Sequence, residues 1–238
     1  MVTIKNPYKK YFCNIHEITV PDKMREKYMT GIKFVDEALG GFTPGSVGIF
    51  TGAPGAGKTT MMLTVANAIG GQDVVVAFNS AEEDVRHLKL TSDRLNLDSP
   101  FYCGNLETIE DILAECTKNQ AKVLIIDSLQ VTGTKKLRAG SVTAMREVTE
   151  RVIDYCSDNF VVGILIGHVT KNNKIAGHNT LKHMVAFHHH IDLCASARCT
   201  TCEPGTRILM SQKNRWAAAG VVKYLGLNSD GFYEIPMR

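Results

Sequence analysis

Gly52-Ala53-Pro54-Gly55-Ala56-Gly57-Lys58-Thr59 decides how the rest of the chain is read. These eight residues fit the pattern G-x-x-x-x-G-K-[ST], and their setting agrees with it. The apolar run Val47-Gly48-Ile49-Phe50 ahead of them predicts a buried strand, and Met62, Val65, Ala66 and Ile69 behind them recur at helical spacing. Glycines let a backbone wrap closely round a phosphate, so that successive N–H groups point inward at the anion. The helix that follows offers its positive N-terminal end. In such a loop the lysine, here Lys58, reaches the β- and γ-phosphates, and the hydroxyl, here Thr59, ligates Mg2+. The stretch, with Thr60 behind it, is a candidate nucleotide site; the alternative is an ordinary Gly-rich turn.

The bulk numbers suit that reading. At 238 residues the chain is long enough for one large α/β domain with a full core. Charged residues at 21% and apolar residues at 44% are ordinary for a soluble globular protein. A formal charge of +3 permits a nucleic-acid partner without arguing for one. Residues 1–11 carry no apolar core of a secretory signal, and the longest apolar run, Val161 to Gly167, is too short to span a bilayer. Seven cysteines is an odd count, and Cys116 and Cys156 lie in apolar contexts, which predicts reduced thiols and a cytoplasmic setting with no membrane partner.

Outward from the loop, residues 1–21 (Lys9, Lys10, Tyr11 and Phe12 among them) read as an arm that docks on a neighbouring subunit, or as a loose terminus. Residues 22–238 read as one domain. Thr30 to Gly41 predicts a short helix ended by glycines. Asp73 to Phe78 predicts a second strand, which runs into Asn79-Ser80-Ala81-Glu82-Glu83, and carboxylates at the C-terminal end of a parallel strand face the ligand crevice. The next helix carries Leu88, Arg94 and Leu95. Another starts at Thr108, with Asp111 completing a capping box and Ile109, Ile112, Leu113 and Cys116 facing the core. Val123-Leu124-Ile125-Ile126 ends in Asp127, a second Mg2+ contact if the loop holds a nucleotide and otherwise the first residue of a turn. Residues 131–140 read as flexible, basic and too polar for core. A helix from Ser141 puts Val142, Met145, Val152 and Cys156 on one face, and the strand Val161 to Ile166 leads to Gly167-His168. A second basic stretch covers Lys171 to Lys182. Apolar runs around Ile208, Val221 and Phe232 predict an antiparallel meander at the sheet edge. His188-His189-His190, Cys194, Cys199 and Cys202 offer zinc-type ligands. With a single C-x-x-C the stretch 188–202 reads instead as a turn between edge strands with incidental thiols.

The ordered set resembles the RadA/Sms family of bacterial DNA-repair ATPases, which have a RecA-type core. Thr30-Gly31-Ile32 through Gly40-Gly41 and Pro44-Gly45-Ser46 are similar to that family's lead-in. Ser80-Ala81-Glu82-Glu83 is similar to its Ser-Gly-Glu-Glu, with Leu90 and Arg94-Leu95 in register. Ile126-Asp127-Ser128-Leu129-Gln130 resembles its Ile-Asp-Ser-Ile-Gln, and Ala139-Gly140-Ser141-Val142 with Arg146-Glu147 resembles its Pro-Gly-Ser-Val block. Gly167-His168-Val169-Thr170-Lys171, Ile175-Ala176-Gly177 and Leu181-Lys182-His183-Met184-Val185 match its next block, and Lys213-Asn214-Arg215-Trp216 resembles its Lys-Asn-Arg-Phe signature. The match runs over roughly residues 30–227. It lacks the family's four-cysteine zinc module, since only Cys13 precedes the core, and its C-terminal protease-like domain.

The resemblance implies an α/β RecA-like core, a mostly parallel twisted sheet flanked by helices with an antiparallel C-terminal edge. It also implies an ATP- and Mg2+-dependent motor assembled as a ring, hexameric by analogy with the family, around single-stranded or branched DNA, with recombinase or replication partners. Glu82 would orient or deprotonate the attacking water, and His168 would sense the γ-phosphate, the alternative for it being a satisfied structural histidine. Lys213 and Arg215 would reach a neighbouring subunit's site as an arginine finger does, or else lie on a solvated edge strand. Lys135, Lys136 and Arg138 in the first basic loop, and Lys171, Lys174 and Lys182 in the second, would track DNA phosphates; a solvated face is the alternative. Arg94 could pack on the base. Two other jobs fit the same core: a replicative-helicase-like unwinding motor, and a nucleotide-switched protein-binding module without DNA activity.

Overall fold

The computed structural model describes residues 12–168, 178–194 and 202–236. The phosphate loop leaves β1 (Val47–Gly52), which lies between β5 (Val162–His168) and β6 (Phe187–Leu193). Beyond β5 come β4 (Val123–Asp127), β2 (Val76–Ser80) and β3 (Tyr102–Gly104), all parallel. On the other side β7 (Arg207–Asn214), β8 (Val222–Asn228) and β9 (Gly231–Glu234) continue the sheet antiparallel from β6. Among the described residues the result is one nine-stranded sheet, parallel through β6 and antiparallel after it.

The central strands are continuous apolar runs because both their faces are covered. Phe50, Val123, Ile125, Ile164 and Ile166 face α1 (Lys33–Leu39) and α2 (Lys58–Gly70), where Leu39, Met62, Val65, Ala66 and Ile69 are buried. Ile49, Leu124, Ile126 and Leu165 face α4 (Ile109–Lys118), α5 (Val142–Asn159) and α6 (His178–Met184). Helix α3 (Val85–Arg94) adds Leu88 to the first layer. Helix α1 stops at Gly40, left-handed at φ 75°, and the Asp36 carboxylate ties down its start by accepting from Thr30 N, Thr30 Oγ1 and Gly31 N.

Several local expectations are corrected. Strand β2 begins at Val76, because Asp73 turns the chain at φ 59°. Val142 lies on the outer side of α5, 46% exposed, while Met145, Val152 and Cys156 are buried as their spacing predicts. At α4 the two capping-box side chains bond each other, Thr108 Oγ1 donating to Asp111 at 2.6 Å, so Thr108 caps no backbone N–H. The first basic loop is packed through its first half. Thr132 and Thr134 are buried, Gly133 pairs with Thr108, and Thr134 Oγ1 accepts from Lys136 N and Leu137 N. Residues 187–193 form an interior strand rather than a turn between edge strands, and His188, His189 and His190 are buried in it. Cys199 and its neighbours lie outside the described residues.

Candidate active site

Parallel strands carry their C-terminal ends to one side of the sheet, and registration brings the predicted residues together there. Gly52 pairs with His168 across β1 and β5, and Ser80 with Asp127 across β2 and β4. The Ala81 N–H donates to the Asp127 carbonyl at 2.9 Å, which sets Glu82 over the same end.

Gly57 has φ 97°, a conformation open to glycine, and α2 starts at the next residue. Lys58 is 5% exposed, and its ammonium donates to the Ala53 carbonyl at 3.1 Å. Burial lowers its pKa; the charges of Asp127, Glu82 and Asp192 oppose that shift. Thr59 Oγ1 donates to Asp127 Oδ2 at 2.7 Å. The other oxygen, Oδ1, is buried with no hydrogen-bond partner among the described residues. Burial pushes the Asp127 carboxyl up to about 6, against the Thr59 hydrogen bond. A hydroxyl beside a carboxylate with an orphaned oxygen is a hard-ligand set that fits Mg2+.

Glu82 is held by two donors at one oxygen. His168 Nε2 donates to Oε1 at 2.7 Å, and the Ser128 hydroxyl donates to the same atom. The His168 bond, then that of Ser128, holds the Glu82 carboxyl below its ordinary range against its partial burial, so it is ionised at neutral pH. Ligand atoms of Glu82, Asp127 and His168 all lie within 4.8 Å of one another. Gln130 Nε2 donates to the His168 carbonyl at 3.1 Å, which connects the loop after β4 to the end of β5.

Residues 28–158 match the model of the DnaB-like helicase C terminal domain. The chain belongs to that family. It is 33% identical over 199 residues to the DNA repair protein RadA of Streptococcus pneumoniae, covering 82% of this chain and 46% of the relative. The chain thus spans about half the length of the curated relatives it matches. Among solved structures, the ATPase domain of G40P superposes with a TM-score of 0.76 at 12% identity, over 90% of this chain and 93% of that one. The RadB recombinase superposes with a TM-score of 0.64 at 19% identity, over 88% and 100%. The fold is the RecA-like ATPase core.

In this DnaB-like core the remaining candidates are scattered. Lys213 Nζ donates to the Lys182 and Val185 carbonyls at the end of α6, at 2.7 and 2.6 Å, so its own chain holds it. Arg215 is exposed, just past β7. Arg94 donates to the Ser229 carbonyl in the β8–β9 turn at 3.0 Å. Lys135 is paired with Asp111 at 2.9 Å, while Lys136 and Arg138 are exposed. Lys182 belongs to α6 rather than to a loop, and its ammonium meets Gln212 at 3.3 Å. Lys171 and Lys174 lie outside the described residues. No helix of the described residues is long and apolar enough to cross a membrane.

Sequence reasoning missed the support beneath the loop. Thr51 Oγ1 lies 2.8 Å from both His188 Nε2 and His190 Nδ1, and His190 Nε2 is 3.6 Å from Asp192. Thr51 Oγ1 thus bridges the two rings, and it also lies 3.3 Å from the His189 carbonyl as a donor. Nothing in the letters pairs Thr51 with residues 137 and 139 positions away. Ser128 was legible only as the neighbour of Asp127.

Proposed function

We propose that this domain hydrolyses ATP and uses the energy to move along DNA in recombination, repair or branch migration. The observation that carries the reading is Glu82, ionised and fixed through one oxygen by His168 and Ser128 beside the phosphate loop. That is the arrangement phosphoryl transfer needs, because its catalysis is mainly positioning and charge compensation. Backbone N–H groups from Gly57 to Thr59, at the start of α2, and the Lys58 ammonium hold the phosphates. Glu82 orients the attacking water and takes its proton. Thr59 and Asp127 would hold Mg2+, which when bound would supply further compensation of phosphate charge. His168 touches Glu82 directly, so a contact between its ring and the γ-phosphate would reposition the base and transmit occupancy to the segment after β5.

In the same reading, subunits form a ring, hexameric in the manner of the family, on single-stranded DNA. Arg215, exposed past β7, completes a neighbour's site, and Lys136 and Arg138 meet the DNA backbone. Lys213 joins them only if it leaves the α6 carbonyls. The test is ATP turnover with and without single-stranded DNA, alongside light scattering of the assembly. Stimulation by DNA and loss of turnover in Lys58→Ala are expected. A chain that stays monomeric with DNA and nucleotide, or turnover indifferent to DNA, overturns the motor. The family model, that of a DnaB-like helicase domain, favours a second job for the same site, unwinding of a duplex fork. Strand displacement from forked against three-stranded substrates separates the two.

A further inference from the structure

The C-terminal strands meet the phosphate loop at three points. The Ile191 carbonyl of β6 lies so close to Gly52 that a Cβ there would stand 2.1 Å from it. The Phe232 ring of β9 lies 2.7 Å from where a Cβ on Gly57 would project. At the start of β7, Arg207 donates from Nε to the Ala56 carbonyl at 3.3 Å and from Nη1 to the Gly205 carbonyl at 2.6 Å. The backbone of Arg207 is anchored in the sheet, paired with Leu193 on one side and Leu225 on the other, and its side chain is half-buried.

A planar trans peptide sends its C=O and its N–H in opposite directions. Holding the Ala56 carbonyl away from the site therefore turns the Gly57 N–H toward it, and inward N–H groups are what such a loop offers a phosphate. We propose that Arg207 is a positioning residue for the nucleotide site, fixing the Ala56–Gly57 peptide so that the loop is preset for phosphate and the C-terminal strands register its occupancy. The inference rests on the nucleotide reading above and adds a residue to it. It also gives β7 two jobs: its first residue holds the loop of its own chain, and Arg215, just past its end, faces outward.

The test is binding of a fluorescent N-methylanthraniloyl ATP with Mg2+ to wild type, Arg207→Ala, Arg207→Lys and Lys58→Ala, with melting temperature measured on each. Loss of a charge-assisted hydrogen bond that presets the loop should weaken binding in Arg207→Ala about tenfold. Turnover at saturating ATP should hold within about twofold, since a ground-state binding loss leaves kcat. Methylguanidinium, added below denaturing concentration, should restore binding to Arg207→Ala, which a merely destabilised fold would not allow. If Arg207→Ala fails to fold, Arg207→Lys carries the test: it keeps one donor and should lose about threefold. Unchanged affinity in a folded variant, or weakened binding that methylguanidinium leaves untouched, sinks this inference alone. Failure of wild type to bind, with Lys58→Ala no different, brings down the nucleotide reading and this inference with it.

Discussion

Acid should cost this protein stability through one buried histidine, His189. Its side chain is 1% exposed, its ring stacks on Phe187 at 5.0 Å, and neither ring nitrogen has a hydrogen-bond partner among the described residues. Burial lowers its pKa from 6.5 to about 3. The unfolded chain therefore takes up a proton as pH falls through 6.5, and the native chain does not until about 3. Stability is fully present above the unfolded value and is lost through that window as pH falls. At pH 5, about 1.5 units into the window, the loss is about 2 kcal/mol at 1.36 kcal/mol per unit. That is a large share of the roughly 5–15 kcal/mol a domain has in all. His189→Phe keeps a flat ring against Phe187 and removes the proton site. Urea unfolding at about pH 7.5 and about pH 5 should show wild type losing about 2 kcal/mol more than the variant. Burial also lowers the His190 pKa, and the comparison cancels that contribution. Parallel pH curves for the two proteins would refute a buried, neutral His189.

Two further outcomes follow from the site. Glu82→Gln keeps the acceptor for His168 and Ser128 but removes the base, so ATP turnover should fall about 10²–10⁴-fold with nucleotide affinity within a few-fold; near-normal turnover would remove Glu82 from the chemistry. Gly52→Ala puts a methyl 2.1 Å from the Ile191 carbonyl, a backbone atom that cannot swing aside. It should weaken nucleotide binding more than tenfold and cost about 1–3 kcal/mol in urea unfolding, as other overpacked positions do; a variant with wild-type affinity would show that β6 does not bear on the loop.

The sequence by itself determined what local rules govern. Gly52 to Thr59 announced a phosphate loop because each residue serves the anion directly. The runs ending at Ser80, Asp127 and His168 announced parallel strands because burial on both faces leaves no polar alternation. Met62, Val65, Ala66 and Ile69 announced the helix behind the loop by their period. The active-site carboxylates were legible for the same reason: the end of a parallel strand is a place that a linear string can mark.

Only the tertiary structure decided what that string cannot mark. The stretch 188–202 reads as a turn between edge strands, yet His188, His189 and His190 lie in the strand beside β1. A polar side chain can be buried when a distant hydroxyl such as Thr51 completes its hydrogen bonds, or when burial keeps it neutral, as in His189. Lys135 and Lys213 read as free cations, yet Asp111 and the α6 carbonyls hold them. Arg207 and Phe232 carried no motif, and they came to the loop because antiparallel strands fold back across it. Contacts between residues far apart in the chain depend on register and strand order, which one-dimensional spacing does not encode.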